Sequence, residues 1–124
     1  MLIKEEQFKY IVDRRDFHCA LDVTMHYIGG KWKAVVLWYL RKEKKRFGEL
    51  KNLIPDITDK MLSIQLKSLE EDGIISRTVY PEIPPRVEYE YTEKGKSLIP
   101  VIEAIAHWGN EKARKEGELV KVVN

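Results

Sequence analysis

A chain of 124 residues sets the expectation of one domain, large enough to bury a core without covalent or metal staples. With 44% hydrophobic and 34% charged residues it is no disordered segment, and a formal net charge of +2 leaves any affinity for nucleic acid to local clusters of Lys and Arg. The start MLIKEEQFKY has no apolar signal core and no stretch is long enough to span a bilayer, so the expectation is a cytoplasmic protein that does not engage membranes.

Residues 1–18 mix charge with scattered apolar groups (Leu2, Ile3, Phe8, Tyr10, Ile11, Val12, Phe17) and are expected to form an arm, a short helix or strand docked on something else. A first helix is expected over Ala20–Ile28, where Leu21, Met25 and Ile28 recur at helical spacing and Gly29-Gly30 ends it. Trp32–Leu40, WKAVVLWYL, is apolar on nearly every face, the pattern of a helix at the centre of a domain. Arg41 to Arg46 reads as a solvated loop. A third helix covers about Phe47 to Ile54, with Phe47, Leu50 and Ile54 inward, and Pro55 stops it because proline cannot donate the next helical hydrogen bond. Thr58 is the expected N-cap of a fourth helix reaching about Asp72, closed by Gly73 at positive φ.

Ile75–Tyr80 and Arg86–Tyr91 alternate apolar or aromatic with polar residues, the period of half-buried strands, and the PEIPP between them makes a stiff hairpin tip. Thr92 is expected to cap a last helix from about Glu93 to Ala113, with a wide stripe of Leu98, Ile102, Ile105 and Trp108 and a kink or shortened first turn at Pro100. The expected order is α-α-α-α-β-β-α, a mainly α (α+β) chain. It divides into an N-terminal arm (1–18), a domain with a long C-terminal dimerisation helix (19–113) and a tail (114–124).

Two helices joined by a short turn and followed at once by a hairpin have the layout of a winged helix-turn-helix. With Leu62 at the centre of the buried face of the fourth helix, Leu66 and Leu69 fall within about 40° of it. The opposite face carries Lys60, Ile64 and Lys67, with Ser63 beside them. Lysine suits phosphates or guanine edges, a hydroxyl suits either, and an apolar group suits a thymine methyl. Such a face, taken alone, also describes a solvated helix. The hairpin shifts the balance, since three prolines with Arg86 at the base form a preorganised probe. Lys31 and Lys33 stand beside a helix N-terminus, where backbone N–H groups can also meet phosphate.

From Cys19 to about Gly109 the chain resembles the HxlR family of winged-helix transcription regulators, relatives of the MarR group. The strings that carry the resemblance are IGGKWKAVVLWYL (28–40), RFGELKNLIPDITDKMLSIQLKSLEEDGII (46–75), RTVYPEIPPRVEYEYTEKGKSLIPVIEAI (77–105) and Trp108-Gly109. The resemblance implies a homodimer built from terminal helices on a pseudo-palindromic double-stranded DNA operator, with the fourth helix in the major groove and the hairpin as wing. It also implies no enzymatic activity and no obligatory cofactor. Lys31, Lys33, Thr58, Lys60, Ser63, Ile64, Lys67 and Arg86 are the candidate DNA-binding residues.

Members of this family commonly place a cysteine where Cys19 stands, and in some of them it senses oxidants or electrophiles. The family usually continues Cys-Pro, whereas this chain has Cys19-Ala20. Near a helix N-terminus the thiolate is favoured by the dipole, and Cys19 is a candidate redox sensor; its other reading is a small buried hydrophobe. As the only cysteine it can form a disulfide only with another molecule. His18, Cys19 and His26 have no spacing that places three metal ligands on a common face, and no metal site or catalytic pair is expected. Two further readings remain. One is a protein-interaction winged helix that binds no DNA. The other is a small-molecule sensor with an apolar pocket at a dimer interface lined by Trp32, Trp38, Tyr39 and Trp108.

Overall fold

The computed structural model describes residues 8–122, so Leu2 and Ile3 of the expected arm, and the last two residues of the tail, lie outside the described residues. The described part of the arm forms a β-hairpin, Tyr10–Val12 (β1) paired antiparallel with Arg15–Phe17 (β2). Its two turn residues, Asp13 and Arg14, both hold positive φ (49° and 66°). That backbone matches the right-handed twist of a two-residue hairpin. Among the described residues of the arm Phe17 is the one buried anchor, while Phe8, Tyr10 and Ile11 are exposed.

The helix α1 spans Ala20–Ile28 as expected. Of its three spaced apolar residues only Ile28 is buried; Leu21 and Met25 are 68% and 46% exposed. The hairpin and the next helix pack on the side carrying Val23, His26 and Tyr27, so the Leu21–Met25 stripe looks outward. In α2 (Lys33–Leu40), Val36, Leu37 and Leu40 are fully covered and form the middle of the core.

The segment expected as a loop contains a short strand, Lys45–Arg46 (β3), paired with Tyr89 and Glu88. Two cationic residues carry no alternation that would announce a strand; the neighbouring strand's free edge supplies the hydrogen bonds. In α3 (Phe47–Leu53) Leu50 is buried, as is Ile54 just beyond it, while Phe47 is only partly so.

The turn at Pro55 leads to α4 (Asp59–Glu71). The Thr58 hydroxyl oxygen accepts from the Met61 N–H at 3.0 Å, satisfying one of the first-turn donors. At the other end Gly73 takes φ 76°, its N–H bonds the Glu70 carbonyl, and the Ile74 N–H bonds the Leu69 carbonyl, both at 3.0 Å. This paired closure satisfies carbonyls that the helix itself leaves open.

Strands β4 (Ile75–Tyr80) and β5 (Arg86–Tyr91) pair antiparallel from Ile75↔Tyr91 to Tyr80↔Arg86, and the sheet order is β3-β5-β4. Thr92 does act as a cap, accepting from the Gly95 N–H at 2.9 Å, but the element it caps is a 3-10 turn over Gly95–Leu98. A Cβ at Gly95 would run into the Ile74 carbonyl, so the close approach of the two segments requires glycine there. The helix α5 then runs from Ile99 to Glu116. Pro100 falls in its first turn, where the missing N–H has no intrahelical partner to lose, and it sets the start of the α-helix instead of kinking it. The helix-turn-helix of α3 and α4 and the β4–β5 hairpin make the domain a winged helix.

One long-range bond ties wing to core. The Tyr91 hydroxyl, from the base of β5, donates to the Leu37 carbonyl of α2 at 2.8 Å in a buried setting. The Arg41 N–H at the end of α2 bonds Trp38 rather than Leu37, so Tyr91 serves a carbonyl left open by the helix terminus. Burial pushes the phenol well above its ordinary pKa and keeps it a donor. Tyr91→Phe should therefore lower unfolding stability by about 1–3 kcal/mol, the cost of a buried acceptor left unpaired, measured by urea denaturation. A change within error would show that the carbonyl finds another donor.

Candidate nucleic-acid interface

Burial of Leu62, Leu66 and Leu69 fixes the rotation of α4 and leaves Lys60, Ser63, Ile64 and Lys67 together on its exposed side. Neither lysine has an ion-pair partner among the described residues. Ile64 is 47% exposed although it is the most apolar group of the face. Thr58, at the head of the same helix, has its oxygen engaged by the cap and its hydroxyl hydrogen free. Glu70, Glu71 and Asp72 make the far end acidic, so the part of α4 that precedes Glu70 is the part that suits a phosphate-lined groove.

The other candidates are dispersed. Lys31 rests over the Trp32 ring, 4.7 Å from its centroid, and Lys33 opens α2. The basic run before α3 is divided by pairing. Lys45 meets Glu43 at 3.0 Å and Lys44 meets Glu88 at 3.2 Å, while Lys42 and Arg46 stay exposed.

Arg86 is not the free cation that its place at the hairpin base suggests. Its guanidinium reaches Glu82 at 3.3 Å and Glu88 at 3.8 Å and stacks 4.1 Å from the Tyr80 ring. These contacts brace the wing across its two strands. Burial works to raise the Glu88 carboxyl, but the Lys44 ammonium, the Tyr80 hydroxyl and Arg86 outweigh it and hold the pKa below its ordinary value. Glu88 in turn raises that of Lys44 through a hydrogen bond and its charge.

The unpaired wing cation is Arg77, a residue missed from sequence. It lies opposite Tyr89 in mid-strand, is exposed, and has no ion-pair partner among the described residues. The signal was present in the strand period. Arg77 shares a face with Ile75 and Val79, an odd place for a cation unless the strand has left the core by that point. It has: Ile75 is buried and Val79 is 50% exposed.

Cys19 occupies the N-cap position of α1 with its side chain exposed and making no cap bond, which removes the buried-hydrophobe reading. The neighbouring His18 N–H bonds Asp22 at 2.9 Å. His26 is directed elsewhere, its Nε2 contacting Arg15 and lying 3.7 Å from Asp72. No group of three metal-ligating side chains occurs among the described residues. An apolar groove of about 310 Å³ lies between α2 and α5, lined by Val35, Trp38, Tyr39, Ile102 and Ile105. Of the four aromatic residues expected at such a pocket, Trp38 and Tyr39 line it, whereas Trp32 and Trp108 do not. No helix among the described residues is long and apolar enough to cross a membrane.

A helix-turn-helix with an exposed, cation-bearing second helix and a braced wing defines the winged-helix regulators as a class. The HxlR-like helix-turn-helix family matches residues 27–117, and the chain belongs to it. A relative from Methanothermobacter thermautotrophicus, described as an HTH-type transcriptional regulator, is 51% identical over 94 residues, which are 76% of this chain and 72% of the relative. The HTH-type transcriptional regulator YkvN of Bacillus subtilis is 46% identical over 102 residues, covering 82% and 86% of the two chains. Among solved structures, the redox regulator HypR in its oxidised form is similar with a TM-score of 0.73 and 43% identity, covering 75% of this chain and 96% of its own. No enzymatic family is indicated by these relatives.

Proposed function

We propose that the protein is a non-enzymatic transcriptional regulator that works in the cytoplasm as a homodimer on an inverted-repeat operator in double-stranded DNA. The observation that carries this reading is the α4 face, with two unpaired lysines, a serine and an exposed isoleucine, held outward by three buried leucines. In a dimer the two α4 helices stand about 34–36 Å apart, one turn of duplex. Lys60, Ser63, Ile64 and Lys67 line the major groove and Thr58 meets the backbone at the helix head. Lys31 and Lys33 contact phosphates, and Arg77 does so from the wing with Arg86 as its brace.

In an electrophoretic shift assay, Lys67→Ala or Ser63→Ala should cost about 1–3 kcal/mol on the preferred site and less on random duplex. Arg77→Ala should weaken binding to both and reduce the slope of log K against log salt by about one, with a smaller change for the ion-paired Arg86→Ala. Equal losses on operator and random duplex for every α4 variant would remove the face assignment. Failure of the wild type to bind any DNA would favour the protein-interaction reading instead.

Dimerisation is supported by what α5 leaves uncovered. Ile102 is buried against the core, but Ile105 and Trp108, further along the same stripe, are 49% and 69% exposed. Together with the apolar groove beside α2 they form a surface that a second copy would shield. Sedimentation should show a dimer at micromolar concentration and a shift toward monomer for Trp108→Glu. A wild-type monomer would end this reading.

Cys19 is the proposed switch. Its thiol is exposed at the end of α1 facing the arm, and HypR, a structural relative, is described as a redox regulator. Two thiols would join as a disulfide, their two electrons and two protons passing to the oxidant, with the second thiol supplied by another molecule. Diamide or an electrophile should change operator affinity in the wild type and leave Cys19→Ser unaffected; a common response in both proteins would make Cys19 a bystander.

A further inference from the structure

We infer that the recess between the N-terminal hairpin and the C-terminal end of α4 is a binding site for a small zwitterion of the amino-acid type. The recess measures about 340 Å³, near the lower end of the range of about 300–1,000 Å³ for small-molecule sites. One wall, Val12 to Phe17, lies outside residues 27–117, the range matched by the family.

The recess carries charges of both signs, Asp13, Glu71 and Asp72 against Arg15 and Lys94, and the Asp13 carboxylate accepts from the Tyr27 hydroxyl at 3.4 Å. Arg15 and Lys94 line it without a carboxylate partner among the described residues, and Glu71 lines it without a cationic one. Glu71 and Asp72 stand at the C-terminal end of α4, where the helix dipole also favours a cation, so the ligand's ammonium belongs there. Arg15 stands on the hairpin side, its guanidinium resting against the His26 ring, and can offer a forked pair of donors to a carboxylate. Lys94, whose ammonium lies near Gly73, adds a second positive charge. The rings of Phe17 and Tyr27, each edge-on to His26, supply an apolar surface for a side chain. A bound zwitterion would clamp the hairpin to the end of α4. Any effect on DNA rests on the function proposed above, whereas binding itself does not.

The test is therefore made without DNA. Free amino acids at millimolar concentration are screened one by one for a rise in the thermal midpoint of the full chain and for movement of the His26 ring signals in NMR spectra. At about tenfold above Kd the midpoint should rise by about 4 °C. The amide and the N-acetyl derivative of the same amino acid, each lacking one charge, should have no effect. Glu71→Gln and Lys94→Gln break no ion pair among the described residues and should lose the response at least tenfold in affinity. The inference is overturned if no free amino acid produces a shift, if both variants respond like wild type, or if either derivative binds as well as the parent zwitterion.

Discussion

Helix α2 is apolar on nearly every face, and the architecture follows from covering the side that carries Val36, Leu37 and Leu40. Val36, Leu37 and Leu40 are buried, and Leu62, Leu66 and Leu69 of α4 join the same cluster, as do Ile75 and Tyr91 from the base of the sheet and Ile102 from α5. Full burial of one such side chain is worth about 1.5–3 kcal/mol, so rotating α4 to expose its leucines would forfeit several times that. The orientation of the exposed lysines is thus set by the opposite side of their own helix. The Tyr91–Leu37 hydrogen bond adds direction to this apolar packing, fixing the base of the wing to the end of the central helix.

The allocation of charge has a similar logic. Cations close to carboxylates are used to build: Arg86 with Glu82 and Glu88, Lys44 with Glu88, and Lys45 with Glu43. Cations distant from carboxylates remain available to a polyanion: Lys60 and Lys67 on α4 and Arg77 on β4. A count of basic residues along the chain does not separate the two sets, because it does not say which acid the folded backbone brings within reach of each cation. The formal charge of +2 reflects nearly equal numbers of basic and acidic residues and says nothing of which cations are paired in the fold.

The N-terminal hairpin stands apart from this pattern. It lies before the family-matched residues and is anchored through Phe17, and it brings Arg15 to the end of a helix some fifty residues further along the chain.

Local order was legible along the chain because it depends on neighbours a few residues apart. The periodicity of Leu62, Leu66 and Leu69, the Thr58 cap, the Gly73 stop and the strands on either side of PEIPP all derive from backbone geometry and short-range hydrogen bonding, and the winged-helix order came with them. What failed depended on partners distant in sequence. Strand β3 exists because β5 offers it an edge, and Leu21 and Met25 are exposed because the hairpin takes the other side of α1. Sequence alone determined which residues α4 turns outward; only the tertiary structure decided which cations are free, because neutralisation takes place through space.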